Sequence, residues 1–341
     1  MPLPYDALLL LSFGGPEGVD DVLPFLENVL RGKRVPRERM LEVAEHYYLF
    51  DGVSPINEQN RALLASLIPE LASHGINMPV YWGNRNWHPM LTDTVRQMAE
   101  DGVSRALAFA TSAFASYSGC RQYLEDIERA RAEVGPTAPE IDKLRLFHNH
   151  PGFIEPMSQR VREALDSIHE PARSAARLVF TAHSLPLTMA NACTYVTQLQ
   201  DACRLVAERV GCSGWDLVYQ SRSGPPDQPW LEPDVCDHLR SLREERGCTD
   251  VVLIPIGFLS EHMEVVYDLD VEAAGLCERI GLNLVRSSVV GRHPRFVAMI
   301  RELVQERLED NPRRLALGHL GAAPDACSPD CCKPIGRTIS T

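Results

Sequence analysis

Several common signals are absent from this chain of 341 residues. No apolar run approaches the roughly eighteen residues that a membrane-spanning helix needs, so no transmembrane segment is expected. The start, MPLPYD, lacks the basic-then-apolar pattern of a secretion signal, and the expected compartment is the cytoplasm. Basic excess is missing too: 34 Lys and Arg stand against 46 Asp and Glu, a formal net charge of -12. That balance argues against nucleic acid or an anionic membrane as the main partner and is compatible with handling cations. There is no HExxH, no pair of CxxC motifs and no P-loop. Gly14-Gly15-Pro16 is not a dinucleotide fingerprint, because proline follows and no third spaced glycine appears.

What remains is an ordinary soluble globular composition, with 45% hydrophobic and 23% charged residues. The length suffices for one large or two medium domains. Continuous apolar runs of strand type occur at Ala7–Leu11, Val80–Gly83, Ala106–Ala110 and Leu144–Phe147. A second set follows at Leu178–Ala182, Leu217–Gln220, Val251–Phe258 and Leu282–Val285. Stretches with helical periodicity separate them, among them 58–71, 91–101, 123–134, 153–168, 197–210 and 235–245. Unbroken apolar strands alternating with helices predict an α/β protein with parallel sheets covered on both faces. The count predicts two similar halves, at 1–165 and 176–310, followed by a tail at 311–341.

Ligands of such open sheets bind beyond the carboxyl ends of the strands. Those ends carry Phe13, the stretch Gly83-Asn84-Arg85-Asn86-Trp87, His183, and Gln220-Ser221-Arg222. An insertion at about 14–59 bears the basic patch Arg31-Gly32-Lys33-Arg34 and the aromatic run His46-Tyr47-Tyr48. It reads either as a surface helical hairpin or as a binding lip suited to a flat apolar ligand with carboxylates. After the last buried run come Glu264, Asp268 and Glu272, spaced i, i+4 and i+8, which a helix would align on one face. Like charges at that spacing repel. The row is therefore either a solvated helix face or a path for a cation. His183 directly follows a strand in the same half, where an imidazole can act as base or metal ligand.

Ten cysteines in a cytoplasmic chain are not expected to form disulfides. Seven are scattered singly, as small buried apolar residues often are. Cys327, Cys331 and Cys332 crowd into the tail and could form a zinc or iron–sulfur site with a fourth ligand from elsewhere.

Six co-linear motifs resemble those of the ferrochelatase family: LLLSFGGP, GVSPIN, QYLEDI, TAHSLP, PWLEPDV and GFLSEHMEVVYDLD. The resemblance covers about residues 5–310. It implies the chelatase fold, two Rossmann-like lobes with an active-site cleft between them, and insertion of ferrous iron into a porphyrin during haem synthesis. It further implies that His183 and Glu264 face each other at the insertion point. Phe13, Arg31, Ser54, Tyr123 and Trp230 would contact the porphyrin, and Asp268 and Glu272 would conduct metal or protons outward. The actinobacterial cast of the pattern and the basic lip imply coproporphyrin III as substrate, with protoporphyrin IX as the alternative. A non-catalytic metal- or tetrapyrrole-binding protein, or a cobalt or nickel chelatase of the same fold, are the competing functions. The resemblance gives no preference between monomer and homodimer.

Some family members carry a 2Fe–2S cluster on C-terminal cysteines plus an internal one. Cys327, Cys331 and Cys332 resemble that tail in compressed spacing. The animal internal position falls near Pro156 and Met157, neither of which is cysteine. Cys193 resembles the internal cysteine of actinobacterial relatives and is the expected fourth ligand. Three further departures concern the cleft. Phe13 stands where some bacterial members have a tyrosine able to ligate product iron, Glu261 where Asp is usual, and His46 where some coproporphyrin-using relatives have arginine.

Overall fold

Unbroken apolar runs become the central strands. The computed structural model describes residues 4–33, 35–224, 227–328 and 330–333. β1 (Ala7–Ser12) is buried along its whole length and pairs in parallel with β2 (Val80–Asn84) and β3 (Arg105–Ala110). β4 (Glu140–Lys143) completes the first sheet beside β3, in the order β2-β1-β3-β4. β5 (Arg177–His183), β6 (Trp215–Gln220), β7 (Asp250–Ile254) and β8 (Asn283–Arg286) form a second parallel sheet, ordered β6-β5-β7-β8. The two halves thus share one α/β topology, with Leu8 and Leu178 at equivalent points of the innermost strands.

Two of the sequence-based strand boundaries need correction. Leu144–Phe147 is buried but not a strand, and the sheet edge is the more polar Glu140–Lys143. An edge strand has one face and one side open to water, so it tolerates charge that a central strand does not. The run from Val251 stops pairing at Ile254, because Pro255 has no N–H for the ladder.

The helices Pro151–Asp166 and Pro294–Leu308 each belong by sequence to one half but cross to the other. Pro151–Asp166 packs on the helix Tyr195–Val210 and on β7 and β8. Pro294–Leu308 packs on the helix Ile56–Ser73 and on Pro151–Asp166. In consequence one apolar core contains Leu8 and Phe109 from the first sheet together with Phe180, Val252 and Phe296. The lip forms a helical hairpin, Val22–Leu30 and Arg37–Tyr48, around a small core of its own that includes Phe25, Leu26 and Met40. Gly52 closes it: φ is +72°, and a Cβ there would lie 2.5 Å from the Val19 backbone.

The segment after β4 buries Arg145, His148, Asn149 and His150. Asn149 anchors the tail, donating from Nδ2 to the carbonyls of Leu317 (3.1 Å) and Gly321 (2.8 Å). Burial pushes His148 down to about 4 and His150 down to about 3, so both are neutral in the folded protein near neutral pH. A histidine depressed in this way protonates first in the unfolded chain. Stability is therefore present above the ordinary histidine value and is lost as pH falls below it. By pH 5 each should cost about 2 kcal/mol relative to neutral pH. Urea melts at pH 7.5 and 5 should show this fall, and the variant His148→Gln/His150→Asn should flatten it. An unchanged slope in the variant would assign the acid sensitivity to other groups.

Candidate functional site

His183 is the last residue of β5, at the carboxyl end of the second sheet. Its Nδ1 lies 2.5 Å from the Ser184 carbonyl oxygen, a contact that requires Nδ1 to carry a proton and donate. Nε2 is thereby directed at Glu264, 3.4 Å from Oε1. Tyr195 braces the same residue by donating from Oη to the His183 carbonyl at 3.0 Å. Both charged side chains reach solvent, with 31% of the imidazole side chain and 48% of the glutamate exposed.

Their charges are coupled. Burial alone would lower the His183 pKa, but the Glu264 carboxylate outweighs it and raises the imidazole to about 9. Burial alone would raise Glu264, yet His183, with His262 and Lys33, holds it well below the usual carboxylate range. The resting pair is therefore imidazolium and carboxylate. An imidazole that would titrate near neutrality on its own is held protonated by the carboxylate placed against it. A cation entering this position would displace a proton.

Behind Glu264 the chain forms not an α-helix but a wide π-type helix, Val266–Ala273, of a kind frequent at functional sites. Asp268 is raised to about 7, chiefly by burial and then by the Glu264 and Glu272 charges, against an opposing hydrogen bond from Ser221. Glu272 is raised by burial and by Asp234, with Arg39 of the lip opposing. The acidic row is thus a partly buried, electrostatically strained line. Lip residues close over it: His46 stacks on Tyr267 with ring centroids 3.6 Å apart, and half-buried Tyr47 lies near Glu264 and Asp268.

Residues of the first half stand near this pair, since Lys33 feels the charges of both Arg85 and Glu264. Phe13 is partly exposed and meets Phe25 edge-on at 6.2 Å. The Arg85 guanidinium lies over Phe13 at 5.8 Å and over Tyr123 at 4.5 Å, and it pairs with buried Asp126. In the sequence Arg85 is one residue of a strand-end loop, and an arginine directly after a strand end is a usable signal. Tyr123 is covered by that guanidinium and is almost fully buried, as is Ser54, whose amide donates to the Pro16 carbonyl at 2.9 Å. Trp230 lies beside the His183 loop, pairing with Pro186 and filling the space a Gly224 side chain would need. Arg31 is exposed at the end of the lip and donates to Asn28.

The cysteines gather at one place. Cys332 is buried in a small cluster with Cys120, Ala115 and Leu146, against which Cys193 and Cys331 pack. The Cys331 and Cys332 sulfurs are 3.5 Å apart. A hydrogen bond from the Cys332 thiol pulls Cys193 down to about 7, whereas burial and the nearby Cys120 and Cys331 push Cys327 up to about 11. Among the described residues, no three His, Cys, Asp or Glu side chains are arranged to hold a metal ion. The four thiols named from sequence nevertheless form one neighbourhood, joined by a fifth, Cys120. Its solitary place in the sequence carried no signal.

The ferrochelatase family profile matches residues 5–308. A ferrochelatase of Rhodopirellula baltica is 58% identical over 96% of this chain and 93% of its own length. A coproporphyrin III ferrochelatase of Streptomyces coelicolor is 53% identical over 96% and 93% respectively. Among solved structures, SirB from Bacillus subtilis with Fe3+ superposes with a TM-score of 0.55 at 14% identity, over 89% of this chain and 95% of that one, which establishes the fold alone. Neither this fold nor any single motif but the near full-length match at this identity decides the assignment: the chain belongs to the ferrochelatase family.

Proposed function

We propose that this ferrochelatase inserts Fe2+ into coproporphyrin III in the cytoplasm, with His183 and Glu264 as the reacting pair. The observation that carries the reading is the 3.4 Å imidazolium–carboxylate pair at the carboxyl end of β5. It is backed by the acidic row, with Phe13 and the overlying Arg85 nearby in the first half. Insertion requires two pyrrole N–H protons to leave while Fe2+ sheds water. As the cation arrives, its charge replaces the His183 proton, and Nε2 becomes a base or ligand while Nδ1 stays fixed on Ser184. Glu264 supplies an oxygen ligand from the opposite side. Asp268, titrating near neutrality, can meet the incoming cation as a carboxylate or take up a released proton, and Glu272 continues the path to solvent. Phe13 and the aromatic lip supply apolar contact with the macrocycle, and Arg31 and Lys33 supply positive charge for propionates. The names of the Streptomyces relatives support coproporphyrin over protoporphyrin.

The tail is proposed to bind a 2Fe–2S cluster through Cys193, Cys327, Cys331 and Cys332. The adjacency of these thiols supports this, and Cys193 is already poised toward its thiolate. Such a cluster would cross-link tail and lobe rather than supply redox chemistry, since insertion leaves iron ferrous.

The test is anaerobic turnover of Fe2+ with each porphyrin, read by absorbance of the metallated product, plus iron and sulfide content of the purified protein. Faster turnover of coproporphyrin III, and a visible spectrum lost in Cys193→Ser, are expected. Turnover of protoporphyrin IX alone would overturn the substrate, tight binding without turnover would overturn the function, and zinc without sulfide would overturn the cluster.

A further inference from the structure

Ser221 has φ of +59°, and among the described residues only Asp51 and Cys332 share a positive φ without being glycine. L-residues other than glycine avoid this region, and a residue kept there against its preference marks a place worth a functional account. Ser221 directly follows β6, and the ladder pairs its neighbour Gln220 with His183. The backbone that places the imidazole therefore also places Gln220 and Ser221.

Both residues reach the acidic helix. The Ser221 hydroxyl donates to Asp268 Oδ2, and Gln220 Nε2 donates to the same oxygen at 3.3 Å. Gln220 Nε2 also donates to the Glu264 backbone carbonyl. Gln220 is 1% exposed, and its Oε1 has no hydrogen-bond partner among the described residues. Its amide is thus oriented by the two acidic residues and by nothing on its other end. One buried side chain ties together the first and second members of the carboxylate row.

We infer that Gln220 and Ser221 are positioning residues for metal insertion, holding the Asp268 carboxylate in line behind Glu264 so that incoming Fe2+ meets an oriented acceptor. This rests on the reading of His183 and Glu264 as the insertion site. Asp268 lies between two other acids, so mutual repulsion would swing it aside unless donors fix its rotamer. A hydroxyl in the left-handed region beyond β6 reaches Oδ2, and the strain is the cost of that reach.

Three variants separate positioning from a merely structural role. Ser221→Gly relieves the backbone while removing the donor, so its melting temperature should equal or exceed that of the parent. Its KM for Fe2+ should rise roughly tenfold, the loss expected when a hydrogen bond to a charged group disappears, with the Kd for porphyrin unchanged. Ser221→Asn tolerates positive φ and restores an N–H donor, so it should bring the KM for Fe2+ back toward the parent value. Gln220→Met, which removes the second donor at similar size, should raise the same constant. Parental KM for Fe2+ in Ser221→Gly, together with higher stability, would overturn the inference and leave Ser221 a strained loop residue. Parental turnover by His183→Ala in the same assay would instead overturn the underlying site reading, so the two failures are distinguishable.

Discussion

Replacing His183 with alanine is expected to lower kcat for Fe2+ insertion by about a thousandfold, within the range for loss of a positioned acid–base group, while porphyrin still binds. The imidazole is placed by β5, oriented through Nδ1 on Ser184 and aimed by Nε2 at Glu264. The aromatic wall at Phe13 and Arg85 is built from the other half and does not depend on it. Removing the imidazole also removes the main cationic neighbour of Glu264, whose pKa should move up. The pH profile of the parent follows from the same pair. His183 is protonated above its ordinary range, so the proton opposing Fe2+ is removed progressively as pH rises. The kcat/KM for Fe2+ should accordingly climb from pH 6.5 to 8.5, and this rise should vanish in His183→Gln. Parent-like turnover in His183→Ala, measured anaerobically by product absorbance, would sink the assignment.

The largest effect on stability is expected at Arg145. Its side chain is 1% exposed and grips Glu306, 4% exposed, through two bonds of 2.6 and 2.8 Å. The same guanidinium donates to the Leu315 carbonyl at 3.0 Å and so fastens the start of the tail. Arg145→Met leaves a buried carboxylate without its partner and should cost about 3–5 kcal/mol. The double variant Arg145→Met/Glu306→Met removes both charges and should recover much of that loss, because the pair owes a large desolvation cost for its burial. Urea denaturation of the single and double variants measures both quantities. A single-variant loss below about 1 kcal/mol, the range of exposed pairs, would show that water reaches the pair.

The sequence was most informative where one residue type answers one physical demand. Leu8 to Leu11 is apolar at successive positions because β1 has neighbours on both sides and helices over both faces. Leu144–Phe147 shows the opposite case. Its apolar character correctly signals burial, but burial does not specify a ladder partner, and the pairing falls on Glu140–Lys143 instead. Arg85 was likewise visible as a residue at a strand end. Only the fold lays its guanidinium over Phe13 and Tyr123, whose positions in the chain are far apart.

By itself the sequence determined the α/β class, the two four-stranded sheets, the absence of a long apolar span and, through its co-linear motifs, the family. These depend on local periodicity and on short segments whose neighbours in sequence are neighbours in space. Tertiary structure alone decided that His183 rests as an imidazolium, that Ser221 and Gln220 meet at Asp268, and that Cys120 joins the tail thiols. Charge state depends on which groups face each other and how much water lies between them. Side chains tens of residues apart acquire those distances only when the sheets and the two crossing helices close into one core.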